Sequence, residues 1–267
     1  VYLVGFFMLF VIGGLSGIIL ANPSIDYQVH NSTFLVAHFH NVIIPGVLFG
    51  MLAGIHYWFP KAFGFRLSET WGRLTAYLFI GGFLFTFMPL YVLGLMGMPR
   101  RSPTFQNPEF LPWMYIAAFG GVLMLAALAS LAWTFWTSWR NRERLAVPGG
   151  DPWNGATLEW SSPAPVPEWN FPLIPVVTAR DDWGAAKRAG DPWKGPDEYV
   201  DIEMPANSYF GVVLAGAAFL LGFAMTWHIW WLSIASLLAM VATIFWRGIK
   251  VVEPVIVPAE EVERADK

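Results

Sequence analysis

Six stretches of the chain are apolar on every side for roughly 20 residues, the length a helix needs to cross the hydrocarbon core of a bilayer. They run over Val1 to Ala21, Phe34 to Phe59, Arg73 to Leu95, Leu111 to Trp139, Tyr209 to Trp227 and Ile229 to Trp246. Turn chemistry separates them: Asn22-Pro23-Ser24 closes the first, Pro60 closes the second, and Ser68-Glu69-Thr70 reads as the capped entry to the third. The pattern predicts an all-α integral membrane protein, a polytopic transmembrane helix bundle of about six spans. Residues 1–139 would form four helices, 140–208 a cytoplasmic connection, 209–247 a two-helix transmembrane hairpin and 248–267 a cytoplasmic tail. Within the second span Gly46, Gly50 and Gly54 recur every four residues and predict a stripe for close helix packing. Pro45 removes the bond to the carbonyl of Asn41 and predicts a kink there, and Pro89 predicts one in the third span.

Composition agrees with a membrane setting. The 267 residues are 56% hydrophobic and 13% charged, against about 25% charged in ordinary soluble domains. A net charge of −3 gives no footing for a nucleic-acid partner. The chain has no cysteine, which excludes disulfides, thiolate metal sites, iron–sulfur clusters and cysteine nucleophiles within it. It opens at Val1 inside an apolar run, with no initiator Met, basic n-region or cleavage site, and reads as a fragment without a signal peptide. Alternating the spans puts fourteen of the sixteen basic residues on one side, which the positive-inside rule makes cytoplasmic together with the carboxy terminus. Arg100 and Arg101 alone fall on the other side. The connection repeats Gly-Asp-Pro-Trp at Gly150 to Trp153 and Gly190 to Trp193, as two tight turns with a docked Trp would.

Depth in the membrane ranks the five histidines. His38 and His40 lie in the outer third of the second span among Leu35, Val36, Phe39, Val42 and Ile43, where an ionisable side chain is costly and a functional role is the default. Residues two apart on a helix point about 160° away from one another, so this pair cannot chelate one ion and must serve partners on opposite faces. Two haem irons would be served in this way, each by one imidazole; the other reading is a pair of hydrogen-bonded core histidines or a polar path. Arg100 and Arg101 sit at a similar depth on the same side, suited to haem propionates by their planar forks or, alternatively, snorkelling to water and phospholipid. His30 lies in an outer loop near Asp26 and Asn31, His56 near Tyr57-Trp58, and His228 in a tight turn beside Trp227; the last two read as interfacial belt residues. No phosphate loop, Ser-His-Asp set or paired intramembrane carboxylates support a hydrolase or nucleotide enzyme.

The stretch from Val29-His30-Asn31-Ser32 to His38-Phe39-His40-Asn41-Val42 resembles subunit I of the haem–copper terminal oxidases, as do Tyr57-Trp58-Phe59-Pro60, Glu69-Thr70-Trp71-Gly72 and Gly94-Leu95-Met96-Gly97-Met98-Pro99-Arg100-Arg101. Within that family it looks closest to the ubiquinol-oxidising, cytochrome bo type, because Asn31 follows His30 and two further spans follow the connection. The resemblance implies a bacterial-type inner-membrane, proton-pumping oxidase that oxidises quinol and reduces dioxygen to water. It implies that His38 ligates the iron of a high-spin haem at the catalytic centre, His40 that of a low-spin haem, that Phe39 lies between the two haems, and that Arg100 and Arg101 hold propionates. His30 would be the remnant of a magnesium site from which Asn31 removes the acidic partner. Copper and its ligands belong to the complete subunit and have no counterpart here, so this fragment alone would be inactive. Partners would be oxidase subunits II, III and IV, the substrates and the lipid bilayer. The alternatives are a cytochrome c oxidase subunit I and, from another class, a non-catalytic channel or transporter with a polar histidine path.

Overall fold

A computed structural model describes residues 1–104, 107–190, 196–250 and 253–266. The chain divides into two compact units, one of Val1–Val166 with Ala179–Asp191, the other of Pro167–Thr178 with Pro192–Lys267.

The first unit is a helix bundle. It contains α1 (Tyr2–Leu20), the short α2 (Pro23–Val29), α3 (Thr33–Ile43) continued by a π-helical turn (Ile44–Phe49) into α4 (Gly50–Phe63), α5 (Glu69–Leu95), α6 (Leu111–Arg140) and, beyond the span region, α7 (Asp182–Ala189). Among the described residues five helices are long and apolar enough to cross a membrane: Tyr2–Leu20, Thr33–Phe63, Glu69–Leu95, Pro108–Arg140 and, in the second unit, Trp230–Ile249. The sixth predicted span folds as α8 (Phe210–Thr226), an apolar helix of 17 residues. Leu, Ile, Val and Phe side chains stand exposed around these helices, as they do where the solvent is lipid.

Packing inside the bundle depends on residues that let backbones approach. Leu9, Phe49, Leu52, Ala76, Phe79, Phe83 and Ala127 form the apolar centre. Between α5 and α6, Thr75 bonds Ser130 at 2.8 Å, and Gly82 and Gly120 admit the facing helix so closely that a Cβ on Gly120 would stand 2.6 Å from the Phe85 carbonyl carbon. The stripe at Gly46, Gly50 and Gly54 is not such a seam. A Cβ there would meet only side chains, at 3.7 Å or more for Gly46 and at 4.0 Å for Gly50, and Trp58 of the same helix at 3.2 Å for Gly54. The tight seams run instead through Gly13, Gly94 and Gly120.

The two prolines sit inside continuous helical segments. At Pro45 the chain widens into the π turn and stays helical to Phe63, so the missing N–H is absorbed by one long turn. Helix α5 passes through Pro89 without interruption. Ser68 stands at the N-cap position of α5, but its side chain caps nothing and its backbone N–H goes to Ser138 Oγ at 2.8 Å.

The connection that follows α6 docks on the end of α4. Trp160 is 1% exposed and donates from Nε1 to the Tyr57 hydroxyl at 3.0 Å. Lys61 Nζ donates to the Ser162 carbonyl and lies 5.5 Å over the Trp160 ring. Trp153, of the first Gly-Asp-Pro-Trp, donates to the Tyr57 carbonyl at 2.8 Å, while Asp151 accepts from Gly155 N–H at 2.9 Å. The Asp191-Pro192-Trp193 part of the second copy lies outside the described residues. Burial alone would raise the Glu159 carboxyl; hydrogen bonds from Thr157 and Trp58, with the Lys61 charge, outweigh it and hold the group below the ordinary carboxylate range.

The second unit pairs α8 with α9 (Trp230–Ile249) across the turn at His228, which has a φ of +55°. Strands β1 (Ile202–Met204) and β2 (Val255–Val257) pair antiparallel, with Ile202 opposite Val257, and α10 (Ala259–Asp266) follows.

Candidate functional site

Helix α3 starts where it does because Ser32 caps it: the Oγ accepts from Phe34 N–H at 3.1 Å while donating to the Val29 carbonyl at 2.7 Å. The end of α5 fastens that first turn. A bridge joins Ser32 to Pro99, with Thr33 N–H bonded to the Met98 carbonyl and Arg100 N–H to the Asn31 carbonyl, each at 3.0 Å. Thr33 Oγ1 also donates to the Leu90 carbonyl at 3.1 Å. Arg100 and Arg101 are therefore hung at the entry of the helix that carries His38 and His40. Arg101 turns the chain with a φ of +63° and is exposed; Arg100 is half-buried. Neither forms a salt bridge among the described residues.

The two histidines diverge as their spacing requires. His38 turns to α1, where Nδ1 lies 3.1 Å from the Gly13 carbonyl and 3.0 Å from Ser16 Oγ, and where a Cβ on Gly17 would stand 3.1 Å from its ring. His40 turns to α5 and stacks on Phe87, with ring centroids 4.4 Å apart at 21°. Its Nδ1 lies 2.8 Å from the Val36 carbonyl of its own helix. A carbonyl can only accept, so Nδ1 carries the proton in both rings and the lone pair is left on Nε2. Among the described residues no hydrogen bond occupies either Nε2. Phe39, 37% exposed, sits between them with its ring 4.4 Å from that of His40.

These residues fit haem ligands. A ligating imidazole needs a free ring nitrogen and an acceptor on the other one, and each histidine has both; carboxylates of a bound group would find two unpaired arginines above. The remaining histidines are placed otherwise. His30 is exposed and bonds Asp26 O at 3.1 Å and Asn31 Nδ2 at 3.1 Å, and no group of three metal-ligating side chains gathers among the described residues. His56 is not a belt residue: it packs on Tyr2 at 4.8 Å, and its Nε2 is buried without a partner beside Gly72. Ser16, Tyr91 and Phe87, which sequence reading passed over, touch the two rings directly or through one atom. Gly13, Ser16 and Gly17 fall at i, i+3 and i+4, one face of α1, and that small-residue face is the signal that points to them.

Residues 1–123 match the family model described as "Cytochrome C and Quinol oxidase polypeptide I". That match spans the histidines, the arginines and the seam joining them. Over those residues the chain is similar to this oxidase subunit I family. Its relatives include "Probable cytochrome c oxidase subunit 1" of Bradyrhizobium diazoefficiens, 45% identical over 99% of this chain, and "Cytochrome bo(3) ubiquinol oxidase subunit 1" of Buchnera aphidicola, 43% identical over 99%. "Ubiquinol oxidase subunit 1" of Acetobacter aceti is 41% identical over 98%. The chain spans 40% of the length of each of these relatives. The similarity to these oxidase subunits and the five helices long and apolar enough to cross a bilayer are those of a multi-pass membrane protein.

Proposed function

We propose that this chain is part of the haem-bearing core of a terminal oxidase that oxidises quinol, reduces dioxygen to water and pumps protons. One observation carries the reading: two histidines two residues apart, each with Nδ1 held by a carbonyl, turn their rings to different neighbouring helices at the arginine-bearing end of the bundle and leave Nε2 without a hydrogen bond among the described residues. His38 is assigned to the iron of the high-spin haem at the oxygen-reducing centre and His40 to that of the low-spin haem, with Phe39 between the haems. Arg100 and Arg101 are assigned to propionates. When bound, the haems supply electron transfer and, with copper, oxygen chemistry; this chain's residues hold and orient them. The copper ligands lie outside this sequence, so the 267 residues alone are expected to be inactive. Oxidase subunits II, III and IV are the partners, and the carboxy terminus lies in the cytoplasm. His30 is bonded to the Asp26 carbonyl and to Asn31 Nδ2, and a magnesium ion there would need ligands from another chain or segment.

Replacing His40 by Ala in the complete oxidase should remove the low-spin haem band and leave the carbon monoxide-binding band of the high-spin haem. An unchanged spectrum would strike His40 from the ligand set, and loss of carbon monoxide-sensitive quinol oxidation in the unmodified enzyme would end the whole reading. Cytochrome c as the electron donor is a second reading favoured by the name of the Bradyrhizobium relative. Steady-state turnover with each donor separates the two.

A further inference from the structure

His38 is held by more than the carbonyl that fixes its tautomer. Ser16 Oγ stands 3.0 Å from His38 Nδ1, 2.8 Å from the Tyr91 hydroxyl, and donates to the Gly13 carbonyl at 2.9 Å. A hydroxyl has one proton and two lone pairs. With its proton on Gly13, Ser16 accepts at both other contacts, from Tyr91 O–H and from His38 Nδ1–H. The imidazole proton is thus shared between two acceptors, the Gly13 carbonyl and Ser16 Oγ, and every polar atom of the cluster is satisfied. The set ties α1 to α3 and, through Tyr91, to α5. Ser16 is 5% exposed and Phe34 lies edge-on to Tyr91 at 4.8 Å, so bulk water is kept from these bonds. His40 lacks this arrangement, since the acceptor on its Nδ1 is the carbonyl of its own helical turn.

We propose that Ser16 is a positioning residue for His38, held in place by Tyr91, and that together they set the electron-donating strength of the His38 Nε2 atom. The physical basis is that an acceptor drawing on Nδ1–H leaves more electron density at Nε2 and raises its basicity as a ligand. A more basic ligand favours oxidised iron and strengthens the iron–nitrogen bond. Two acceptors do this more strongly than one, and the second comes from a side chain that substitution can remove. The inference rests on His38 being a haem ligand.

The test uses the complete oxidase carrying Ser16→Ala, Ser16→Thr or Tyr91→Phe. Its readouts are the iron–histidine stretching band of the reduced enzyme by resonance Raman spectroscopy and the redox titration of both haems. Ser16→Ala should lower the stretching frequency and shift the reduction equilibrium of the haem at His38 toward ferrous iron by about tenfold, a rise of ~59 mV for one electron. The haem at His40 should keep its potential. Ser16→Thr retains the hydroxyl and should restore both values, while Tyr91→Phe should shift them in the same direction by a smaller factor, about two- to threefold, because it removes only the restraint on Ser16. An unchanged frequency and potential in Ser16→Ala with haem bound would overturn the proposal, as would equal shifts at both haems. An unmodified oxidase with no iron–histidine band would instead remove the ligation reading beneath it.

Discussion

Gly94 lies where the end of α5 meets the first turn of α3, and a single added methyl there tests whether that seam positions the histidines. A Cβ built on Gly94 would stand 2.5 Å from Phe34 Cβ and 2.7 Å from its Cα, and would collide with the Phe34 backbone N. Non-bonded carbon atoms settle near 3.5–4.0 Å, so α5 and α3 must part by about 1 Å. No flexible side-chain tip can yield instead, because the obstructing atoms are backbone and Cβ. Overpacking of this kind costs about 1–3 kcal/mol, and here it also pulls on the bonds from Thr33 to Met98 and Leu90. A misplacement of about 1 Å can cost on the order of 100-fold in rate, and α3 carries both proposed haem ligands. Gly94→Ala in the complete oxidase should therefore lower the unfolding temperature, reduce haem content and cut quinol oxidation by about 100-fold. Gly81→Ala and Gly121→Ala, whose Cβ atoms would meet nothing within 4 Å, should leave all three unchanged. The reasoning is refuted if Gly94→Ala matches these controls in stability and in both haem bands.

Removing one positive charge beside a haem favours ferric iron, so Arg101→Gln should lower a haem midpoint potential. If the charge is worth about 1–2 kcal/mol, the drop is on the order of 40–90 mV, and a potential that stays or rises with haem intact would assign the arginines to lipid or a partner subunit. Trp160→Ala removes a fully buried ring, its bond to Tyr57 and the face beneath Lys61. It should cost about 3–5 kcal/mol at that docking and expose residues 141–166 to limited proteolysis, with no change in either haem potential.

What was legible in the sequence followed from single-helix geometry. The opposition of His38 and His40 needs only the helical repeat, whereas the seam that brings Arg100 to the first turn of α3 is tertiary and was not legible. The Gly46, Gly50 and Gly54 stripe misled because a four-residue period states which residues share a face, without saying what arrives there. The partners of His38 were hidden for the same reason: Ser16 and Tyr91 lie 22 and 53 positions away, on separate helices, and nothing local announces their meeting.

The prolines make the tertiary part of this pattern intelligible. Pro45 deprives the Asn41 carbonyl of its i+4 donor, and Pro89 does the same to Phe85. In both cases a glycine of a neighbouring helix stands against the released group: a Cβ on Gly13 would lie 2.8 Å from Asn41 O, and one on Gly120 would lie 2.6 Å from the Phe85 carbonyl carbon. The close approach spares a polar group from facing hydrocarbon unsupported, and only a residue without a side chain permits it. At Gly13 the same approach has a second effect. It brings the Gly13 carbonyl and, one turn on, Ser16 to the Nδ1 of His38. The proline that appeared to threaten the second span is thus part of what seats α1 against it, and the seating delivers the atoms that hold the proposed ligand in its binding tautomer.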